Sequence, residues 1–507
     1  MDASGGPVTG HSPSGRSDLL RLPGVRRQVA RLADDLAAGR SCLWMLPDAF
    51  VPEGHADALH GTVLDRSPER YDLPPPGPAL PAPRQPEASK RDADGPGAPY
   101  ADVPLLDEFD DGFDIGWHPA RTAVPTLPPN PGTQGLLPRL ATELRLTDGQ
   151  VMDHLTDRRR SWRPVIGVRA WLETIPEGGT AGQDIARVLR LMSAAVKESG
   201  TPPPDRPRFL VTARVRDLPT LLPDELELDL DAIAVHWWWG TVGRLDTATF
   251  VASAVRPGGT VTVQEAVLTR RVLAAVREEV IGEVCGPDLS LAQRLHEHWD
   301  GSDHTLDTAV RHSVEGQKRE DHEDLLLTRP RAAVTHKPAL QLRHAWAAGL
   351  VQAWEGRLRL HPALWLSDGG AGRADRLTAL VGQAQSRVLA PWTEEARSAL
   401  AVLALDHALK PVAELVTLYV DDKQRLADHR QRPERTFARI EAGPLYRACL
   451  AGAVALGPDD LRLLKMLTTT RNILAHRGVL HDSTLRRLCE ELAAADQRWS
   501  EQERAPE

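Results

Sequence analysis

The chain has no apolar run of membrane-spanning length, no paired cysteines and little lysine, and each shortage narrows what it can be. No stretch of roughly 18 apolar residues occurs anywhere in its 507 residues, so no transmembrane helix is expected. The amino-terminal MDASGGPVTGHSPSGRSD is polar and lacks the apolar core of a secretory leader, which predicts a cytoplasmic protein. Four cysteines, Cys42, Cys285, Cys449 and Cys489, are scattered with no CxxC pair. That offers neither a disulfide framework nor a zinc site and fits a reducing compartment. Positive charge is not in excess either. With 61 basic against 70 acidic residues the net charge is −9, which argues against a general nucleic-acid coat and leaves a local basic patch open. Heavy use of Ala, Arg, Leu, Pro and Gly beside sparse Lys is the composition of a high-GC bacterium.

The length predicts several domains. Residues 1–16 are expected to be a disordered tail. Residues 17–65 together with 137–256 read as an α/β domain with a parallel sheet. A helix is predicted over 18–38, where Val25, Val29, Leu32 and Leu36 recur at helical spacing. The run Cys42–Leu46 has the length of a buried strand, and HADALHGTVL follows as a second helix. Further strands are expected in WRPVIGVRAW, RFLVTARV and DAIAVHW, with QDIARVLRLMSAAVKES between as a helix. This order resembles the entry to P-loop nucleotide-binding domains of the signalling (STAND) type. The loop PDAFVPEGHAD has one glycine, Gly54, and no lysine, and no G-x-x-x-x-G-K-[ST] occurs in the chain. The resemblance therefore implies a degenerate NTPase, with an atypical phosphate loop as the weaker reading. Thr212 and Arg214 match the strand-end positions that sense phosphate in that family. The alternative is a plain buried strand ending in a solvated arginine.

Residues 66–136 are rich in proline and read as a disordered insertion. Within it, residues 105–117 alternate acidic and apolar side chains, which suits either a docking peptide for a protein partner or a surface lasso. Trp237, Trp238 and Trp239 are consecutive, so they cannot share one face of a strand or helix. They are expected to plug a domain interface or to offer bases a stacking platform. Residues 257–390 read as an all-α connector, with ALQLRHAWAAGLVQAWEG among its helices. His296, His298 and His304 there do not converge on one helix face, so they read as structural or surface histidines without a metal.

The C-terminal stretch 391–500 reads as a helical bundle. One helix, DLRLLKMLTTTRNILAH, has Asp459 or Asp460 as a candidate cap and Gly478 near its end. Leu461, Leu464, Thr468, Arg471 and Ala475 follow a 3-4-3-4 spacing, which predicts Arg471 on the inward stripe. A buried guanidinium needs an answering carboxylate, helix end or phosphate. The run Arg471-Asn472-Ile473-Leu474-Ala475-His476, continuing Arg477-Gly478, resembles the R-x4–6-H motif of the HEPN superfamily. The resemblance covers about residues 392–500. It implies a helical domain that dimerises through its motif helices. Active members are metal-independent endoribonucleases, and sensor domains fused to them recur in antiphage defence and toxin systems. Carried over, His476 would move the proton of the ribose 2′-OH or of the leaving oxygen. Arg471 would hold the scissile phosphate, and Asn472 would orient the pair. Lys465, Arg477, Arg486 and Arg487 could track the RNA backbone. Inactive HEPN domains serve as scaffolds, and then Arg471 and His476 would be interface residues. No cofactor is implied.

Overall fold

The structure, a computed structural model, describes residues 19–76, 135–173, 181–253, 267–315, 335–366, 371–422 and 430–504. The amino-terminal tail and the candidate docking segment 105–117 lie outside the described residues. Seven strands are present in these segments: β1 (Ser41–Met45), β2 (Arg70–Asp72), β3 (Val165–Arg169), β4 (Arg208–Ala213), β5 (Ile233–Trp237), β6 (Val351–Trp354) and β7 (Arg357–Leu360). The first five form one parallel sheet in the order β2-β3-β4-β1-β5, which is the expected α/β architecture. The remainder is mostly helical. Among the described residues no helix is long and apolar enough to cross a membrane.

The chain divides into two compact units. Met1–Asp35, Trp44–Arg66 and Val235–Glu507 make the first, and Leu36–Leu43 with Ser67–Ala234 the second. In the second unit β2, β3 and β4 run parallel, with Arg70 opposite Val165 and Val165 opposite Arg208. The strand β2 comes from the start of the stretch read as a proline-rich insertion. Strands β3 and β4 are buried almost throughout, as expected of continuous apolar runs covered on both faces. The helix Ala181–Ser199 presents Ile185, Val188, Leu189, Met192 and Val196 as its buried stripe. Thr212 is fully buried in β4. Arg214 does not reach solvent as expected. It turns back on Asp217, donating from Nε at 2.9 Å and from Nη2 at 2.8 Å, and so closes the turn after the strand.

The first unit holds the tryptophans and the C-terminal helices. All three of Trp237, Trp238 and Trp239 are buried, so no free stacking platform for bases exists there. The ring of Trp238 lies 4.9 Å from Phe50 and 6.1 Å from Trp44. Trp237 meets Trp346 edge-on at 5.2 Å, and Arg343 sits over its indole at 4.8 Å. Trp346 Nε1 donates to the Trp238 carbonyl at 3.1 Å. Successive side chains point opposite ways, and here both sides find core of the same unit.

The connector is not all helix. β6 and β7 form an antiparallel hairpin, pairing Val351 with Leu360 and Trp354 with Arg357. Between them Glu355 and Gly356 both have positive φ (50° and 72°), the geometry of a two-residue type I′ loop. Alternation in VQAW and RLRL is the signal of this hairpin, and the helical reading of 339–356 missed it.

Helices that position the candidate site are α1 (Val267–Cys285), α2 (Leu289–His298), α3 (Ala371–Asp406), α4 (Ala442–Leu450), α5 (Pro458–Ala475) and α6 (Asp482–Arg504). α3 is one continuous helix of 36 residues that passes through Pro391. It packs along α1 and against α5. Between α1 and α3 lies a group of charges. Arg244 reaches Glu279 and Glu283, Arg387 reaches the same two carboxylates, and Arg359 from β7 stands 3.9 Å from Glu283. Trp354 stacks under Arg244 and Arg359, each 5.9 Å from its ring.

Candidate active site at the end of the motif helix

Helix α5 starts at Gly457 as cap with Pro458 in its first turn, where the missing proline N–H costs nothing. Asp459 and Asp460 fall inside that turn rather than at the cap, favourably placed for the helix dipole. Asp460 also accepts from Arg498 Nη2 at 3.0 Å and Trp499 Nε1 at 3.2 Å, which fastens the far end of α6.

The inward stripe of α5 is Leu463, Leu464, Leu467 and Thr470. That places Arg471 one step round the helix from where the 3-4-3-4 spacing put it. Its side chain is 54% exposed and not buried, because the true stripe includes Leu463 and Leu467, one residue before and three residues after Leu464. Arg471 Nη2 makes an ion pair with Glu441 Oε2 at 2.6 Å. Glu441, at the residue before α4, is the answering carboxylate that the sequence left unnamed. Both partners are partly solvated, so the pair is worth on the order of 0–1 kcal/mol. Arg471 is thus held but easily released.

Asn472 and His476 are exposed, one helical turn apart, and Lys465 is exposed seven residues before Asn472. These three share the outer face of α5. His476 is the capping residue just after the helix, with its N–H on the Asn472 carbonyl at 3.2 Å. Arg477 then adopts the left-handed conformation at φ 57°. Its N–H bonds Leu474 O at 3.0 Å, and the Gly478 N–H bonds Ile473 O at 2.8 Å. This is a Schellman cap with the left-handed position occupied by arginine. The glycine sits one residue later than the expected stop. Left-handed backbone costs a non-glycine residue about 1–2 kcal/mol. Arg477→Gly is therefore expected to stabilise the chain by about 1 kcal/mol, read as a higher urea midpoint at unchanged slope.

The turn beyond His476 is clamped by α3. A Cβ on Gly382 would stand 2.7 Å from the Gly478 carbonyl oxygen, so only glycine allows this approach. Gln385 is buried and uses both ends of its amide on one residue. Its Oε1 accepts from the Leu480 N–H and its Nε2 donates to the Leu480 carbonyl, both at 2.8 Å. Gln385→Leu would leave two buried backbone groups unpaired. It is expected to cost about 2–3 kcal/mol, measurable by denaturant titration. Sequence reasoning missed Gly382 and Gln385. Their signals are a glycine inside an amphipathic helix and a glutamine on its apolar stripe between Val381 and Leu389.

Arg486 and Arg487 are exposed on α6, whose inward stripe is Leu485, Leu488, Cys489 and Leu492. Arg477 is exposed in the turn. Every side chain expected to touch RNA thus faces solvent in the first unit.

No protein-family model matches the chain, and no curated protein or solved structure is significantly similar to it.

The chemistry open to the site follows from its own side chains. It offers one imidazole, one guanidinium with a displaceable partner, one carboxamide and nearby positive charge. That set can bind a phosphodiester and move a proton at neutral pH.

Proposed function

We propose that the C-terminal helices form a HEPN-like domain that cleaves RNA without a metal, at a site built on Arg471, Asn472 and His476. The observation that carries the reading is their exposure. All three stand at the solvent face of a helix end whose following turn is clamped by Gly382 and Gln385. Exposure puts all three side chains within reach of a phosphodiester in solvent. In this reading His476 takes the proton from a ribose 2′-OH. The 2′-oxygen attacks phosphorus and the bond to the 5′-oxygen breaks, with the proton passing to the leaving oxygen. The products carry a 2′,3′-cyclic phosphate and a 5′-OH. Arg471 leaves Glu441 for the phosphate and stabilises the charge that grows there. Lys465, Arg477, Arg486 and Arg487 hold the flanking backbone. RNA is the substrate because the nucleophile is the 2′-OH. A second copy of the chain completes the site across a dimer of the motif helices. The α/β sheet serves as the degenerate NTPase-like sensor of a bacterial, cytoplasmic defence or toxin-type system.

The ion pair of Arg471 with Glu441 favours one second reading, a non-catalytic scaffold that dimerises and docks a partner. Incubating the purified chain with mixed RNA in EDTA separates the two. Cleavage leaving 2′,3′-cyclic ends supports the ribonuclease. A dimeric chain that neither binds nor cuts RNA supports the scaffold, whereas RNA bound but left intact is what a conditional ribonuclease gives before its sensor is triggered.

A further inference from the structure

The net charge left a local basic patch open, and one lies in the second unit where the chain enters β3 and β4. Residues 157–163 read DRRRSWR, and hydrogen bonds tie them to the turn 199–208. Because β3 and β4 run parallel, both segments fall at the amino-terminal edge of the sheet. Arg158, Arg159 and Arg160 are exposed, and Trp162, Arg163, Arg206 and Arg208 are half-buried. Arg158 Nη2 donates to the Ser199 carbonyl. Arg208 donates to the carbonyls of Leu36 at 2.8 Å and Arg163 at 2.9 Å. Arg163 reaches those of Trp162 at 3.1 Å and Asp157 at 2.9 Å. Arg206 reaches those of Thr201 at 3.1 Å and Asp231 at 2.9 Å. Carbonyl acceptors hold these guanidinium groups in place without cancelling their charge. Of the six arginines, among the described residues, only Arg160 stands in an ion pair, 3.7 Å from Asp157. Asp157 also accepts from the Arg159 N–H at 2.9 Å, and Glu69 accepts from the Arg163 N–H. Burial lowers the Arg208 pKa, and the charges of Glu69 and Asp205 oppose that pull. Residues 157–163 alone set four guanidinium groups against one carboxylate, so positive charge is left over.

We propose that this edge of the sheet binds single-stranded nucleic acid, with Arg158, Arg159, Arg160 and Arg206 on its phosphates and Trp162 against a base. Arginine rather than lysine fits that partner, because its planar fork pairs with phosphate through two parallel bonds. No lysine stands in residues 157–163. Positive charge that tracks a backbone, combined with an aromatic side chain for stacking, is how single strands are held without sequence preference. An anionic membrane would need an apolar anchor beside the charges. The other exposed residues of these loops are Ser161, Gly200, Asp205 and three prolines, Pro202 to Pro204, which supply none. Open α/β sheets take small ligands at the carboxyl ends of their strands, so this surface lies at the opposite edge from a nucleotide crevice. It uses no residue of the R-x4-H motif and does not rest on the cleavage reading.

The test uses the full chain carrying His476→Ala, so that cleavage cannot consume the probe. It reads the fluorescence anisotropy of labelled oligouridine and oligothymidine of about 20 nucleotides. Both are expected to bind, and more weakly as salt rises. Arg158→Ala, Arg159→Ala and Arg160→Ala combined should weaken binding roughly tenfold or more and lower the slope of log affinity against log salt by about 2. Trp162→Ala should weaken it about tenfold at unchanged slope. Arg26→Ala, Arg27→Ala and Arg31→Ala combined remove three exposed arginines of the first unit and should change neither quantity. Circular dichroism checks the fold, and the exposure of Arg158, Arg159 and Arg160 keeps their variant informative even where Trp162→Ala unfolds. Binding of oligouridine alone would name RNA as the occupant. Neither probe bound, binding unchanged in the arginine variant of the patch, or an equal loss in the control variant overturns the proposal. RNA bound here but never cut by the wild-type chain would count against the ribonuclease alone.

Discussion

His476→Ala is expected to lower RNA cleavage by about 10²–10⁴-fold, the usual loss when a positioned proton-transfer group is removed. Arg471→Ala should lower it by about 10²–10³-fold, since one donor to the developing charge is lost. The two effects should not add. Groups that act on one transition state as a unit lose little more together than the worse single variant, so the double variant is expected to match His476→Ala. Stability gives the control. Both side chains are exposed, so neither substitution should shift the urea midpoint appreciably. The measurement is initial rate on a single RNA in EDTA, with end analysis of the products. If wild type and both variants cleave alike, the site is not where the chemistry happens.

Glu283→Ala is expected to destabilise the first unit by about 3–5 kcal/mol, the cost of breaking a buried ion pair from one side. Its side chain is only 3% exposed, and Arg244, Arg359 and Arg387 all depend on it. Without it Arg244 and Arg387 share the single carboxylate of Glu279, and Arg359 is left with the Val284 carbonyl and the Trp354 ring. Burial already pulls the Arg359 pKa down, with Glu283 opposing the pull, so its charge would be the worst compensated. Arg387 is 39% exposed and can turn to water, so Arg387→Ala should cost far less. Urea titration of the two variants beside wild type decides this. Equal midpoints for Glu283→Ala and wild type would mean that the three arginines find water easily.

The parallel sheet was legible because its strands are short apolar runs alternating with helices. The strands predicted at Cys42–Leu46 and in RFLVTARV appear at Ser41–Met45 and Arg208–Ala213. The hairpin at Val351–Leu360 was not, because an apolar run broken by one Glu-Gly also fits a helical wheel. Arg471 was placed on the wrong face for a related reason. Thr468 and Ala475 are small enough to pass as core residues on a stripe that in fact runs through Leu463, Leu467 and Thr470. The side chains of the motif could be named from sequence. What holds them could not, because Glu441, Gly382 and Gln385 come from other helices, and nothing local in the sequence ties Gln385 to Leu480.

Helix α3 carries Gly382, Gln385 and Arg387 within two turns, so the motif turn and the buried charges are fixed by the same short segment. This has a consequence for motion. The Leu480 amide is bonded to a buried side chain of α3 rather than to a neighbour in its own loop. It cannot exchange with solvent by fraying of the loop alone, and its exposure requires α3 to move away. In hydrogen–deuterium exchange Leu480 should therefore open with the helical core, and Glu283→Ala should speed its exchange by loosening α3 at Arg387.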